Sequence, residues 1–163
     1  MSGSDLGSLS TSSTLTTGEF TVRPGDLTAH VESCFIGNVV GCGEEVLSTG
    51  SLMGGRAEPW GRVCPLAVVL GRALAVLAAC EPLGEASVIP RSVSRVRRYG
   101  EVLVGEPLTA TASVRFRSVR DTGEVHVTFA VEVYRGVPGA RGGRAALAFE
   151  VGAELRPRLD AAA

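Results

Sequence analysis

The stretch that decides the architecture is Val63-Cys64-Pro65-Leu66-Ala67-Val68-Val69-Leu70-Gly71-Arg72-Ala73-Leu74-Ala75-Val76-Leu77-Ala78-Ala79-Cys80. These 18 residues carry one charge, Arg72. As a helix they reach about 27 Å, short of a hydrocarbon core of about 30 Å. Arg72 near the middle and Pro65 near the start argue further against a membrane span. A helix that is apolar on nearly every side is buried in protein instead. Pro65 suits the first turn, where a missing N–H costs nothing. Pro82 and Gly84 mark the stop, so the expected helix runs over 65–79. Gly71 inside it costs roughly 1 kcal/mol against alanine, which a closely packed strand would explain.

Working outward, the C-terminal side is patterned with period two. Leu108, Ala110, Ala112, Val114 and Phe116 occupy alternate positions. So do Val125, Val127, Phe129, Val131 and Val133, and then Leu147, Phe149, Val151, Ala153 and Leu155. Alternation of this length means strands with one buried face. Asp121-Thr122-Gly123 is a turn between the first two, and Gly139 to Gly143 joins the second to the third, which makes an antiparallel meander. Ser92 to Arg97 alternates less clearly. One apolar helix and one sheet with a single apolar face have to cover each other, so the sheet curves around the helix.

On the N-terminal side, residues 1–18 are rich in Ser, Thr and Gly and are expected to form a flexible tail. Glu19 to Arg23 reads as a short strand. Asp26 is placed to cap a short helix through about Ser33, with Leu27 and Val31 on one face. Residues 34–61 form a glycine-rich loop of a length often tied to function. A single domain over 19–157 and a loose C-terminus at 158–163 complete the organisation.

Composition bounds the function. The chain has 16 basic and 17 acidic residues, a net charge of -1, so it lacks the basic excess of a phosphate-contacting nucleic-acid binder. All its basic residues are arginine, lysine and glutamine are absent, and Asn38 is the one asparagine, a bias of GC-rich coding sequence. Cys34, Cys42, Cys64 and Cys80 show neither CxxC nor zinc-finger spacing. With no secretory signal apparent, they read as free thiols of a cytoplasmic protein. No metal and no cofactor is implied.

The run Val104-Gly105-Glu106-Pro107-Leu108-Thr109-Ala110 with Val114 resembles the V-x-G-[DE]-x-L-x-A stretch of the MaoC-like hotdog family, the (R)-specific enoyl hydratases and related dehydratases. Phe20-Thr21-Val22 with Asp26-Leu27 is similar to that family's first strand and helix. Trp60-Gly61-Arg62-Val63-Cys64-Pro65-Leu66 is similar to the run into its central helix. The resemblance covers about 18–156 and implies an α+β hotdog fold, a curved antiparallel sheet wrapped around one central apolar helix. It also implies hydration of an enoyl thioester, or dehydration of a 3-hydroxyacyl thioester, carried on CoA or an acyl carrier protein. A polyketide or fatty-acid-type route suits such chemistry. The family uses an Asp and a His in D-x-N-P-x-H to activate one water, while an N–H at the central helix start polarises the thioester carbonyl. Aligned on Asp26, the motif's asparagine falls on Asn38, its aspartate on Ile36 and its histidine on Gly41. Neither Ile36 nor Gly41 transfers a proton.

Three readings follow. In the first, Asp26 and His30, four residues apart on one helix face, act as a relocated dyad, with Asn38 at the reacting end of the substrate. The N–H groups around Cys64, Leu66 and Ala67, with Ile36 beside them, then receive the thioester. In the second, the chain is a non-catalytic hotdog subunit that pairs with a catalytic homologue. In the third it is a thioesterase using Glu44 or Glu45. Cys42 lacks a neighbouring histidine and is a poor nucleophile. His126 falls opposite an apolar strand face and is expected to be exposed and uninvolved. Arg91, Arg95, Arg97 and Arg98 are either phosphate contacts for a carrier arm or a solvated strand edge. The long strands would leave an unpaired edge, and a homodimer or a heterodimer with another hotdog chain would cover it.

Overall fold

The structure is a computed structural model that describes residues 9–27, 63–81, 83, 86–136 and 145–157. Strand β1 is Thr14–Thr16, helix α1 is Leu66–Ala78, and strands β2 to β5 are Ala86–Arg98, Leu108–Val119, Val125–Arg135 and Ala145–Pro157. They form one antiparallel sheet in the order β1-β3-β4-β5-β2, curved around α1. The meander β3-β4-β5 is the one the alternation predicts. Strand β2 precedes the meander in the chain but lies beyond it in space, against β5.

The core follows the alternation. All five inward residues of β4 and all five of β5 are buried, as are Leu108 to Val114 at alternate positions in β3. Phe116 breaks the pattern and is 57% exposed. The register between β3 and β4 shifts between Val114 and Phe116. A bulge at Arg115 therefore sends every later side chain of β3 to the other face. The turn Asp121-Thr122-Gly123 is closed by the Gly123 N–H donating to the Arg120 carbonyl at 2.9 Å, with Gly123 at φ 82°.

Four expectations need correction. The supposed tail is ordered from Leu9, which is 2% exposed, through β1, whose Leu15 is buried opposite Ala112 of β3. Thr17 extends that edge: its Oγ1 accepts the Ala110 N–H at 2.9 Å, and its own N–H donates to the Ala110 carbonyl at 2.9 Å. The strand expected at 19–23 reduces to a single bridge between Phe20 and Leu108. Strand β2 runs from Ala86, well before Ser92, and includes Pro90, which an edge strand tolerates. Register shifts follow Pro90 and Ser94, and Arg95 adopts φ 51°.

The fourth correction concerns α1. Val68, Val69, Ala73 and Leu77 are its buried stripe, while Leu66, Ala67, Gly71 and Ala75 face outward. A Cβ built on Gly71 meets nothing within 4 Å among the described residues, so none of the strands β1 to β5 packs against it. The helix is apolar all round because its outer stripe consists mostly of small residues. Arg72 ties it to the N-terminal segment by donating from Nε to the Thr21 carbonyl at 3.3 Å. Among the described residues no helix is long and apolar enough to cross a membrane.

Candidate functional site

The start of α1 is held by the connection between β2 and β3. Val63 bridges Leu103, and the Cys64 N–H donates to the Val102 carbonyl at 2.7 Å. Pro65 stands at the N-cap with φ -58° and ψ 143° and has no N–H. Its carbonyl accepts from Val68 at 3.0 Å and Val69 at 3.2 Å. Of the donors expected here, Cys64 is thus already committed. Leu66 and Ala67, both exposed, retain N–H groups with no acceptor among the described residues. A helix start leaves such donors, with a partial positive charge, pointing outward.

Beside them is a cleft of about 10 Å³ between Leu66, Val69, Arg98, Gly100 and the start of β5. Arg98 brings a guanidinium to its rim, donating from Nε to the Gly100 carbonyl at 3.2 Å. Glu106, in the stretch that carries the family resemblance, is tied up locally. Its Oε2 accepts the Leu103 N–H at 2.9 Å and its Oε1 lies 3.3 Å from Arg135 Nε.

Asp26 does not stand at the helix N-cap. The helical turn begins at Pro24, so Arg23 is the N-cap and Asp26 the third residue of the turn. Its Oδ2 reaches back to accept the Arg23 N–H at 2.8 Å, the returning half of a capping box. The other carboxylate oxygen has no partner among the described residues. Burial pushes the Cys64 thiol up to about 12, and the charges of Glu106 and then Asp26 add to it. A thiol held protonated in this way is no nucleophile. His30, Ile36 and Asn38, together with Gly41, Cys42, Glu44 and Glu45, lie outside the described residues.

His126 is not exposed, contrary to the expectation from its strand. Its Nε2 is out of reach of solvent and has no partner among the described residues. It lies on the outer sheet face, opposite Ser118 of β3 and Glu154 of β5. Glu154 is only 4% exposed because arginines cover it. Arg91 donates to its Oε2 from Nε at 3.0 Å and from a terminal nitrogen at 2.7 Å, and Arg156 binds its Oε1. Arg91 and Arg95 are thereby paired within the chain, Arg95 with Glu150 at 3.1 Å. Among the described residues no group of three or more His, Cys, Asp or Glu side chains is gathered for a metal ion.

No protein-family profile matches the sequence, and no curated protein matches it either. Solved structures do. The MaoC-like dehydratase from Rhodospirillum rubrum superposes with a TM-score of 0.62 at 14% identity, over 94% of this chain and 97% of that one. The (R)-hydratase from A. caviae involved in PHA biosynthesis gives 0.57 at 15% identity, over 90% and 96%. A point mutant of a fluoroacetyl-CoA-specific thioesterase, in complex with fluoroacetate and CoA, gives 0.52 at 14%, over 92% and 97%. Identities this low speak to the path of the chain and not to its chemistry. With the curved sheet, the main helix α1 packed on its inner face and the order β1-β3-β4-β5-β2, they establish that this chain has the hotdog fold.

Proposed function

We propose that the protein is a hydro-lyase of the (R)-hydratase and dehydratase type, acting on an enoyl or 3-hydroxyacyl thioester of CoA or an acyl carrier protein. The observation that carries this reading is the exposed start of α1. Leu66 and Ala67 offer two N–H groups there with no acceptor among the described residues, and the charge of Asp26 is felt at Cys64 beside them. A thioester carbonyl placed on these donors gains negative charge as water adds to C3, and the donors stabilise that charge. Asp26 and His30 would orient the water and take its proton, the hydroxyl would join C3, and a proton would be returned to C2. Asn38 would hold the water or the carbonyl. The likeness to the dehydratase and the hydratase supports the reading at the level of fold.

The test is hydration of a crotonyl thioester by the purified chain, followed by loss of the enoyl absorbance. Turnover that disappears in His30→Ala, with the melting temperature nearly unchanged, supports the assignment. Absence of turnover both alone and with added hotdog partners overturns it.

One observation favours a second reading, a non-catalytic subunit of a hotdog heterodimer. Ile36 and Gly41 stand at the positions the family's dyad would occupy, and at the helix start Cys64 has spent its N–H while Pro65 has none. Co-purification with a second hotdog chain, whose activity survives His30→Ala, distinguishes this case. Release of free thiol from an acyl thioester, lost on changing Glu44 or Glu45, would indicate a thioesterase instead.

A further inference from the structure

Two exposed arginines, Arg115 and Arg120, bracket the end of β3. Elsewhere on the sheet Arg91, Arg95, Arg135 and Arg156 each lie against a carboxylate of the chain. Arg115 and Arg120 have no such partner among the described residues. Between them Phe116 and Val119 are uncovered, 57% and 54% exposed. Phe116 stands on the outer face opposite Thr128, and Val119 on the inner face opposite Val125. The bulge at Arg115 is what turns the phenyl ring outward. Strand β1 accompanies β3 only to Ser113, and the last described contact is the Val114 N–H donating to the Ser13 carbonyl at 3.0 Å. Beyond it no described strand runs along β3 on the side away from β4. Arg117 is engaged within the chain and stands outside this set.

Charges on an edge strand ordinarily keep other strands away. Protection alone does not call for an uncovered Phe and Val beside those charges. Arginine and aromatic side chains together are what protein contacts concentrate. Apolar side chains exposed on both faces of one edge would be covered at once by a segment lying along it. Charge then decides which segment. A second copy laid antiparallel on the same stretch would set Arg115 opposite Arg120 twice, and like charges directly opposed are destabilising. An acidic segment gains at both positions instead. Arg115 and Arg120 are five residues apart, about 17 Å along an extended strand. We propose that Arg115, Phe116, Val119 and Arg120 form a docking surface for an extended acidic segment of a partner protein, with apolar side chains between two carboxylates at that spacing. The proposal stands on this edge and not on the thioester reading.

The experiment titrates the full chain into an end-blocked, fluorescein-labelled peptide, Thr-Glu-Val-Thr-Val-Val-Glu-Thr, and follows anisotropy. Binding should be saturable, and raising NaCl from about 50 to about 500 mM should weaken it severalfold. Arg115→Glu combined with Arg120→Glu should weaken it about tenfold or more. Phe116→Ser alters no charge and should weaken it about fivefold or more, so the apolar contact is tested separately. All three positions are exposed, and the variants are expected to fold. No saturable binding, equal affinity for the peptide with lysine in place of glutamate, or affinity unchanged in both variants overturns the site. A sedimentation coefficient of the chain alone that falls in the double variant would give this edge to a second copy and overturn it too. Activity on a thioester enters none of these outcomes.

Discussion

At Cys64, one backbone hydrogen bond and one buried thiol decide much of what the helix start can do. The neutral thiol is the form the fold accepts, since burial and two nearby carboxylates oppose the thiolate. The folded value of about 12 lies above the reference 9.0, so this residue's contribution to stability is complete below pH 9 and is lost as pH rises toward 12. Alkylation by iodoacetamide at pH 8, mapped by mass spectrometry, should modify Cys80 well before Cys64 in the native protein, and both equally in urea. Rapid native labelling of Cys64 would contradict its burial. Glu154 has the opposite sign. Its hydrogen bonds from Arg91 and then Arg156 hold it below the reference 4.5, so its contribution is present above that value and is lost as pH falls below it. Glu154→Gln should therefore lower the melting temperature at pH 7 and bring variant and parent together at pH 2 to 3. The identity of these partners was not legible in the sequence. Nothing at Cys64 announces that its N–H will find Val102, and nothing at Glu154 announces that two arginines will close over it.

At the scale of the element, legibility followed the regularity of burial. Strands β4 and β5 are buried on one face throughout, so alternation reads them directly. Strand β3 was readable up to Arg115, where one inserted residue reverses the faces. The edge strand β2 was half missed. Its side chains from Pro90 to Arg98 are exposed on both faces, which erases the alternation that burial imposes elsewhere. β1 was missed because its own residues are polar; the apolar surface that orders Leu9 and Leu15 is supplied by the rest of the domain. In α1 the length was nearly right and the packing of Gly71 was wrong. With no described residue within 4 Å of its Cβ position, Gly71→Ala should stabilise by about 1 kcal/mol and raise the melting temperature by roughly 2–4 °C. A lower melting temperature would mean that something covers this face.

For the whole molecule, β2 is the exposed flank of the sheet, with Val93, Val96 and Tyr99 uncovered along and just beyond it. Apolar residues on an open edge favour self-association, and a dimer through this flank is the assembly we expect. Sedimentation at micromolar concentration should give a dimer, and Val93→Glu combined with Val96→Glu should give a folded monomer. A monomeric parent would rule the assembly out.

The strand order has a consequence for how quickly the chain reaches this structure. The hairpins β3-β4 and β4-β5 join neighbours in sequence, but β2 meets β5 across 71 residues at Ala86–Pro157 and 49 at Arg98–Leu147. Closing so large a ring costs chain entropy before any contact repays it, so β2 should dock after the rate-limiting barrier, onto a meander already formed. Val88→Ala in β2 is then expected to speed unfolding and leave the refolding rate nearly unchanged, while Val131→Ala in β4 slows refolding. Stopped-flow chevrons of the two variants would reveal the order of assembly. Native-state hydrogen exchange would then show whether the flank of the sheet opens on its own ahead of global unfolding.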